Sequence, residues 1–448
     1  MNFPVLTFLG LLPALGAAFV LALPARLARQ VALGASVATL LVAALVGIGF
    51  SPGGGMQFVE QATWIRPLGA YYALGLDGIG LTLVLLVVIV TPVVILASWR
   101  DFDRRRPTTD DADALPAKYG PRVFFALVLA VETCALYLFL ATDVFLFYVF
   151  FEVILVPMYF LIGGFGPGPR RTYAAAKFLI FGLLGGFVML ASVIGLYVLS
   201  AAAGEPSYLL STLSELELGT GTERWLFLGF MFAFAIKAPL VPLHTWLPDA
   251  AEQSSPGGAT MMVGVMDKIG TFGMIRFCLG LFPEASQWAT PVVIVLAVIS
   301  ILYGAILAIG SRDIMRFIAY TSISHFGFIV LGIFVLTSQS MVGSTLYMLN
   351  HGLSTAALFI AAGYLIKRRG SRDINAYGGV QKVAPVLAGL LLFAGLSTLS
   401  LPGLSSFVSE FMVLAGTFSR HPVYAVVSTL AIVLAALYIL IMYQRTMT

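Results

Sequence analysis

The chain has 448 residues, of which 60% are hydrophobic and only 10% are charged. A water-soluble fold of this size could not bury so many apolar side chains, so the composition excludes a soluble globular protein and indicates a protein that crosses a membrane many times. The net charge of +4 does not indicate nucleic-acid binding, because the basic residues cluster in short connections between apolar runs, as topology signals do.

Apolar runs of spanning length recur along the whole chain. They predict about thirteen transmembrane helices, at residues 4–24, 31–50, 78–99, 122–141, 144–163, 174–201, 225–248, 257–282, 290–310, 317–336, 342–366, 383–417 and 422–443. The first run has no basic region before it, so we interpret it as a retained span rather than a cleaved signal peptide. The loops 51–77, 100–121 and 202–224 are too short and polar to bury a core, so we expect no extramembrane domain. Cys134 and Cys278 lie inside apolar runs, which favours core packing over a disulfide or a metal site.

The connections between these runs differ in charge. Alternate connections are rich in bases, whereas the others contain only Arg66, Arg224 and Arg420. The basic set is therefore predicted to be cytoplasmic and the N-terminus external; it comprises Arg26, Arg29, Arg100, Arg104, Arg105, Arg106, Lys118, Arg122, Arg170, Arg171, Arg312, Arg316, Lys367, Arg368, Arg369, Arg372 and Lys382. Loop 249–256 is an exception, because it is predicted to be cytoplasmic yet carries two acids and no base. Acidic residues weigh little in this rule.

The seventh run contains an unusual segment, residues 231–249, with a lysine, three prolines and a histidine. Lys237 lies about 12 residues into the run, which at ~1.5 Å per residue is roughly the middle of a bilayer. Pro239 and Pro242 follow at once and break the helical hydrogen-bond ladder. Such a break is tolerated at membrane depth only where protein or water satisfies the freed carbonyls, so the segment predicts a polar channel.

Other ionisable side chains also lie inside the runs. They are Glu132, Glu152, Lys237, Lys268, His325, His351 and Glu410, with Lys177 and His244 nearer the ends of their runs. Carboxylates, imidazoles and amines all exchange protons, so this set favours a proton pathway. It disfavours a metal site, because no two of these groups share a helix at ligand spacing. The sequence contains no nucleotide fingerprint, phosphate loop or cysteine cluster.

The twelfth run mirrors the seventh. It is too long for one straight crossing, carries a Leu-Pro-Gly break at 401–403 and then presents Glu410. Spans 4 to 8 and 9 to 13 form two sets of five, and an odd number of helices makes the second set run the opposite way. We therefore predict an all-α protein with an N-terminal three-helix segment, 1–121, and two inverted five-helix repeats, 122–282 and 283–448, with broken helices 7 and 12.

Five stretches carry a family resemblance: AIKAPLVPLHTWLPDA, MDKIGTFGMIRF, FIAYTSISHFGFIVLGIF, LNHGLSTAALFIAAG and LPGLSSFVSEF. Together they resemble the antiporter-like membrane subunits of proton-pumping NADH:quinone oxidoreductase, respiratory complex I. The resemblance extends from about Leu138 to Met412. In that family the M-type chain, called subunit 4 in mitochondria, typically has a glutamate on the second broken helix where L- and N-type chains have lysine. Glu410 therefore favours the M type.

The resemblance implies roles for individual residues in proton translocation from the cytoplasm to the outside. The family's first half-channel contains a glutamate and a lysine, which match Glu152 and Lys237. The family's central lysine matches Lys268, its polar linkers match His325 and His351, and its terminal acid matches Glu410. Weaker candidates are Glu132, Lys177 and His244. Ala251 stands where many relatives have a histidine, and Asp267 precedes Lys268 where an apolar residue is commoner. The family usually has fourteen spans, so the chain is expected to be short by one helix.

The resemblance also implies partners. Quinone reduction elsewhere in the complex would drive translocation, so NADH, flavin, iron-sulfur clusters and quinone are expected in partner subunits, with no cofactor, metal or redox centre in this chain. Expected partners are other membrane subunits, including L-type and N-type chains, with the lipid bilayer and protons, and no nucleic acid. The abundance of Ala, Gly and Arg suggests a bacterial cytoplasmic membrane. Two alternatives stay open, a subunit of a multisubunit cation/proton antiporter and one of a membrane-bound hydrogenase; an inert scaffold would not explain so many buried charges.

Overall fold

The computed structural model describes residues 3–102, 116–204 and 206–448. Arg104, Arg105 and Arg106 of the predicted cytoplasmic set lie outside these residues. The first half of the described chain forms α1 (Val5–Ala22), α2 (Ala28–Ile48), β1 (Gln57–Ile65), β2 (Ala70–Leu76), α3 (Gly78–Ala97), α4 (Pro121–Leu140), α5 (Val144–Val153), α6 (Leu155–Phe165), α7 (Arg171–Ala203), α8 (Leu210–Leu213), α9 (Thr220–Lys237) and α10 (Trp246–Gln253).

The second half continues with α11 (Pro256–Ala259), a π-helical turn (Thr260–Met266), α12 (Lys268–Gly273), a second π-helical turn (Met274–Leu279), α13 (Pro283–Gly310), α14 (Ile314–Phe334), α15 (Ser338–Arg369), α16 (Val380–Val383), α17 (Pro385–Thr398), α18 (Ser405–Arg420) and α19 (Pro422–Met447). Short 3₁₀ turns occur at Ala25–Leu27, Arg66–Leu68 and Ile374–Ala376.

Within the described ranges, 10 segments are long and apolar enough to cross a membrane as continuous or nearly continuous helices. Three further crossings are interrupted: α9 with α10, α11 with α12 and the two π-helical turns, and α17 with α18. The prediction of an all-α polytopic membrane protein with about thirteen crossings is confirmed. The division at 121 and 282 and the inversion of the two repeats stay predictions.

Local sequence explains where many helices begin. Proline, whose missing N–H costs nothing in a first turn, opens α4, α11, α13, α17 and α19. Acidic side chains cap others: Asp77 accepts a hydrogen bond from Gly80 N, Asp143 from Leu146 N, and Asp313 from Arg316 N. These caps satisfy backbone donors in the first turns of α3, α5 and α14 that would otherwise lack a partner within the helix.

The loop 51–77 contains a structure that the sequence analysis missed. Strands β1 and β2 pair in antiparallel fashion and form a two-stranded sheet. The Glu60 carboxylate on β1 accepts hydrogen bonds from the backbone of Leu6 and Thr7 and from the Thr7 hydroxyl. Gly69 joins the strands with a φ of 63°, and an added Cβ there would lie 1.9 Å from Pro206 O, so only glycine fits. The hairpin therefore holds the start of α1.

Connections that were predicted to share a side of the membrane are in contact. On the basic side, Arg171 Nη1 donates to Pro116 O at 2.7 Å, and Arg170 N donates to Gln253 Oε1 at 2.9 Å. On the opposite side, Tyr71 N donates to Asp143 Oδ2 at 2.9 Å. The alternation of the described connections between two sides follows the prediction, while the side that faces the cytoplasm stays a prediction.

The acidic loop 249–256 lies on the basic side as expected. Arg316 Nη1 contacts Asp249 Oδ1 at 2.9 Å and Glu252 Oε2 at 2.5 Å, and Lys177 Nζ contacts Asp249 Oδ2 at 2.7 Å. Bases from two other crossings therefore neutralise the two acids. This pairing explains how an acidic loop can lie among basic ones.

Candidate functional site

Lys237 is the last residue of α9, and the chain from 238 to 245 is not helical. The lysine side chain is buried, and its Nζ has no hydrogen-bond partner among the described residues. Nζ lies 4.5 Å from the centroid of the Phe151 ring, on α5. A helix C-terminus carries a partial negative charge, which stabilises a cation at this position.

The break after Lys237 is closed by specific hydrogen bonds. Leu240 N donates to Ala235 O at 3.0 Å, and Trp246 Nε1 donates to Ile236 O at 2.9 Å. Pro239 has no N–H for Ala235 O, so Leu240 N bonds to that carbonyl instead, and the Trp246 indole then satisfies Ile236 O, which Leu240 N would serve in a regular helix. The predicted broken helix is therefore present, and its polar backbone is covered by protein as membrane depth requires.

Glu152 lies at a second interruption, since α5 ends at Val153 and α6 begins at Leu155. Its Oε1 is buried with no hydrogen-bond partner in the described part of the chain. A Cβ at Gly186 of α7 would lie 1.5 Å from that oxygen, so the glycine makes room for the carboxylate. Glu152 and Lys237 interact electrostatically, but across the described residues they form no ion pair within 4.0 Å.

Lys268 is buried at the start of α12, between two π-helical turns. Its Nζ donates to Val263 O at 2.5 Å and lies 2.8 Å from His351 Nδ1 on α15. Nζ is also 5.1 Å from the centroid of the Phe326 ring. π-Helical turns inside α-helices are frequent at functional sites. No pattern in the sequence predicted these turns.

The two predicted histidines lie next to each other. The ring centroids of His325 and His351 are 5.4 Å apart, with an angle of 48° between the planes. Both Nε2 atoms are buried and lack a hydrogen-bond partner within the described ranges. Each imidazole can therefore receive or release a proton on Nε2 while Nδ1 is occupied.

His325 reaches the second broken helix through a tyrosine. Its Nδ1 lies 2.6 Å from the Tyr347 hydroxyl, which donates to Glu410 Oε2 at 2.8 Å. The Ser400 hydroxyl donates to the same oxygen at 2.5 Å. Ser400 lies in the break between α17 and α18 and has a φ of 61°, an uncommon conformation for serine. All four side chains are buried.

Tyr347 and Ser400 were missed by the sequence analysis. The position of Tyr347 contained a usable signal, since it precedes His351 by four residues on α15 and shares its helix face. Ser400 directly precedes the Leu-Pro-Gly break. The backbone closes there as it does after α9, since Leu401 N donates to Leu396 O at 3.1 Å.

The weaker candidates have different surroundings. Glu132 is fully buried on α4, and both of its oxygens lack hydrogen-bond partners among the residues described. Lys177 is held by Asp249 and by Thr245 O at the basic side, away from the buried line. His244 lies in the break after α9, with its ring 5.2 Å from that of Tyr303. The geometry thus joins none of the three to the two hydrogen-bonded groups, Lys268 with His351 and His325 with Tyr347 and Glu410, which meet at the histidine rings.

Ionisable groups on interrupted helices inside a polytopic bundle are typical of membrane proteins that transport ions. The family model described as NADH:quinone oxidoreductase/Mrp antiporter, transmembrane, matches residues 141–435. NADH-quinone oxidoreductase subunit M of Mycobacterium tuberculosis (strain ATCC 25618 / H37Rv) is 50% identical over 480 residues, covering 100% of this chain and 85% of that protein. The subunit M of Escherichia coli (strain K12) is 38% identical over 388 residues, covering 85% of this chain and 73% of the relative.

Solved structures of similar fold indicate the same family. A chain of respiratory complex I from Thermus thermophilus with bound NADH is similar with a TM-score of 0.88 and 33% identity, covering 99% of this chain and 88% of that chain. A chain of the Mrp complex from Dietzia sp. DQ12-45-1b has a TM-score of 0.84 at 23% identity, covering 100% and 80%, and shows a shared fold alone. The chain belongs to the NADH:quinone oxidoreductase/Mrp antiporter family of membrane subunits, and within it to the M type. The predicted family and the predicted multi-pass location in a bacterial cytoplasmic membrane are confirmed.

Proposed function

We propose that this chain translocates protons as a subunit of NADH:quinone oxidoreductase, along a buried pathway from Glu152 and Lys237 through Lys268 to Glu410. One observation carries the proposal. Tyr347 links His325 to Glu410 with hydrogen bonds of 2.6 and 2.8 Å, and Lys268 contacts His351 at 2.8 Å. Burying polar groups in an apolar bundle costs free energy, and no structural role of these side chains offsets that cost. A function in proton transfer explains why they are present.

The first step uses Lys237 with Glu152. When a carboxylate approaches an ammonium, the ammonium holds its proton more tightly. When the carboxylate moves away, the ammonium releases the proton more easily. The two groups are close enough to interact yet are not in contact. A movement of Glu152 at the α5–α6 interruption would therefore change the proton affinity of Lys237, and each tenfold change requires only about 1.4 kcal/mol.

The second step runs from Lys268 to Glu410. The Lys268 ammonium can pass a proton to His351 Nδ1, and Tyr347 can pass one from His325 to Glu410 as its hydroxyl donates and accepts in turn. The ring centroids of the two histidines are 5.4 Å apart, so transfer between them needs a ring rotation or a bridging water molecule. Glu410 then releases the proton to the external side. The direction depends on the predicted cytoplasmic side of the basic connections.

The energy comes from elsewhere in the complex. Relatives are named subunits of NADH-quinone oxidoreductase, and the similar chain from Thermus thermophilus belongs to a complex with bound NADH. These names support partner subunits that act on NADH and quinone. The expected flavin, the iron-sulfur clusters and the L-type and N-type neighbours in the membrane follow from the family resemblance. The antiporter alternative receives less support, since the Mrp chain shares 23% identity whereas the M. tuberculosis subunit M shares 50%.

Substitutions at Lys237 test the pathway. We expect Lys237→Ala to abolish nearly all NADH-driven proton uptake into inverted membrane vesicles, and Lys237→Arg also to fail, because guanidinium does not deprotonate in this range. Glu152→Gln should impair turnover, and Glu152→Asp should retain part of it. Lys382→Ala, at an exposed lysine, serves as the matched control. Near-normal uptake with Lys237→Arg, per assembled complex, would show that Lys237 is a fixed charge and would refute the switch.

A further inference from the structure

Asp267 is a buried carboxyl that the pathway above does not use. It has 0% exposure, and neither carboxylate oxygen has a hydrogen-bond partner among the described residues. Buried carboxylates are normally paired or hydrogen-bonded, because leaving them without partners is costly. Asp267 precedes α12 but does not cap it, since its backbone is helical and its side chain accepts no capping bond. The usual structural roles of an aspartate are therefore absent in this part of the structure.

The packing of α12 shows which way Asp267 faces. An added Cβ at Gly270 would lie 2.6 Å from Ala238 N, and one at Gly273 would lie 2.4 Å from the Phe234 ring. These two glycines therefore place α12 directly against the end of α9. Residues three apart share a helix face, so Asp267 belongs to the same face as Gly270. That face meets α9 where Lys237 ends the helix.

Two lysines thus flank the carboxyl. Lys268 follows Asp267 in the chain, and Lys237 lies across the α9–α12 contact. Both lysines interact electrostatically with Asp267. Glu152 of α5 and Cys134 of α4 are further ionisable groups that interact electrostatically with Lys237. The first lysine has no hydrogen-bonded connection to the second among the residues described. Asp267 interacts electrostatically with both lysines and lies on the face of α12 that packs against the end of α9.

We propose that Asp267 carries the proton from Lys237 to Lys268, an inference that rests on the proposed function. Neither lysine forms a hydrogen bond with Asp267 among the described residues, so each transfer uses a side-chain rotation or a bridging water molecule. The carboxylate accepts a proton from the Lys237 ammonium, which leaves a neutral amine and a carboxylic acid. The acid then protonates a neutral Lys268 and returns to carboxylate. One proton moves, and the total charge of the three groups is unchanged. Two free oxygens suit this exchange, since one can accept while the other donates.

Asp267→Asn tests the inference, because the amide keeps the shape and cannot ionise. In inverted vesicles we expect NADH-driven proton uptake per assembled complex to fall on the order of tenfold or more, because the loss of one transfer step raises the activation free energy of proton translocation. Thr271→Val is the matched control: it removes a buried hydroxyl from the same helix, where the single hydroxyl hydrogen of Thr271 is shared between Lys268 O and Met348 Sδ. Uptake with Thr271→Val should stay within about twofold, the effect of under 0.5 kcal/mol.

The pH profile separates proton exchange from packing. Without the carboxylate, Lys237 and Lys268 lose a negative neighbour and hold protons less well, so the alkaline limb of the activity profile should move to lower pH in Asp267→Asn. Thr271→Val should leave the profile in place. Asp267→Glu, which restores an ionisable carboxyl, should retain more uptake than Asp267→Asn at equal assembly.

Three results would overturn the inference: normal uptake and an unchanged profile in Asp267→Asn; an equal loss in Asp267→Asn and Thr271→Val; or lower uptake in Asp267→Glu than in Asp267→Asn at equal assembly. Lys237→Ala is measured in the same membranes. If it abolishes uptake while Asp267→Asn is normal, only the role of Asp267 fails. If Lys237→Ala is also normal, the proposed function fails with it.

Discussion

Tyr347→Phe removes one oxygen atom from the middle of the proposed pathway. The hydroxyl makes two hydrogen bonds, at 2.6 Å to His325 Nδ1 and at 2.8 Å to Glu410 Oε2. Without it, His325 and Glu410 have no direct contact among the described residues, while Glu410 keeps the bond from Ser400. Each lost bond to a charged or buried partner costs roughly 1.5–3 kcal/mol. If one such loss falls on the transfer step, the rate of proton uptake should drop roughly 10- to 150-fold.

The same bundle provides a matched control. Tyr438 is a fully buried tyrosine of α19 whose hydroxyl has no hydrogen-bond partner within the described residues. Tyr438→Phe removes the same atom from a similar environment, so uptake should change less than about twofold, since no bond is broken. The assay is NADH-driven proton uptake in inverted vesicles, normalised to assembled complex. Equal effects of Tyr347→Phe and Tyr438→Phe would refute the claim that the Tyr347 hydroxyl carries protons.

Two further predictions concern topology and pH. A reporter inserted near Arg105, which lies outside the described residues, should be cytoplasmic and one near Gly219 external, as measured by reporter activity in whole cells; the opposite pattern would reverse the proposed direction. Burial raises the pKa of Asp143, in the connection before α5, from 3.8 to about 6, although backbone N–H groups of Tyr71 and Leu146 partly oppose the rise. Between these two pH values the Asp143 carboxyl is protonated in the folded state and ionised in the unfolded state. The contribution of Asp143 to the free energy of unfolding is therefore fully present below pH 4 and is lost as the pH rises through about 6. Thermal unfolding in detergent should show this slope, worth about 3 kcal/mol or less, and Asp143→Asn should flatten it; an unchanged slope would contradict the assignment.

The sequence was informative where membrane physics leaves few choices. Apolar runs must form spans because the bilayer provides no hydrogen bonds to the backbone, so the crossings followed from length and composition. Lys237 and Glu410 were noticeable for a similar reason, since a charge inside a span is costly and usually functional. The breaks beside them followed from proline chemistry, and the structure contains both.

Tertiary placement was harder to predict. A tyrosine in an apolar helix is ordinary, so only the packing of α14, α15 and α18 shows that Tyr347 bridges His325 and Glu410. The pairing of Lys177 with Asp249 depends on the approach of two distant segments, which no local pattern encodes. The hairpin in the loop 51–77 was missed because the residues of its two strands do not alternate cleanly between buried and exposed.

The central claim is that protons leave the buried pathway through Glu410, and Glu410→Gln tests it most directly. The amide keeps the size of the side chain and can still accept from Tyr347 and Ser400, but it cannot ionise. The measurement is the number of protons taken up per NADH oxidised by inverted vesicles with normal amounts of assembled complex. We predict a clear loss of proton uptake with assembly preserved, whereas an unchanged number of protons per NADH would remove Glu410 from the pathway.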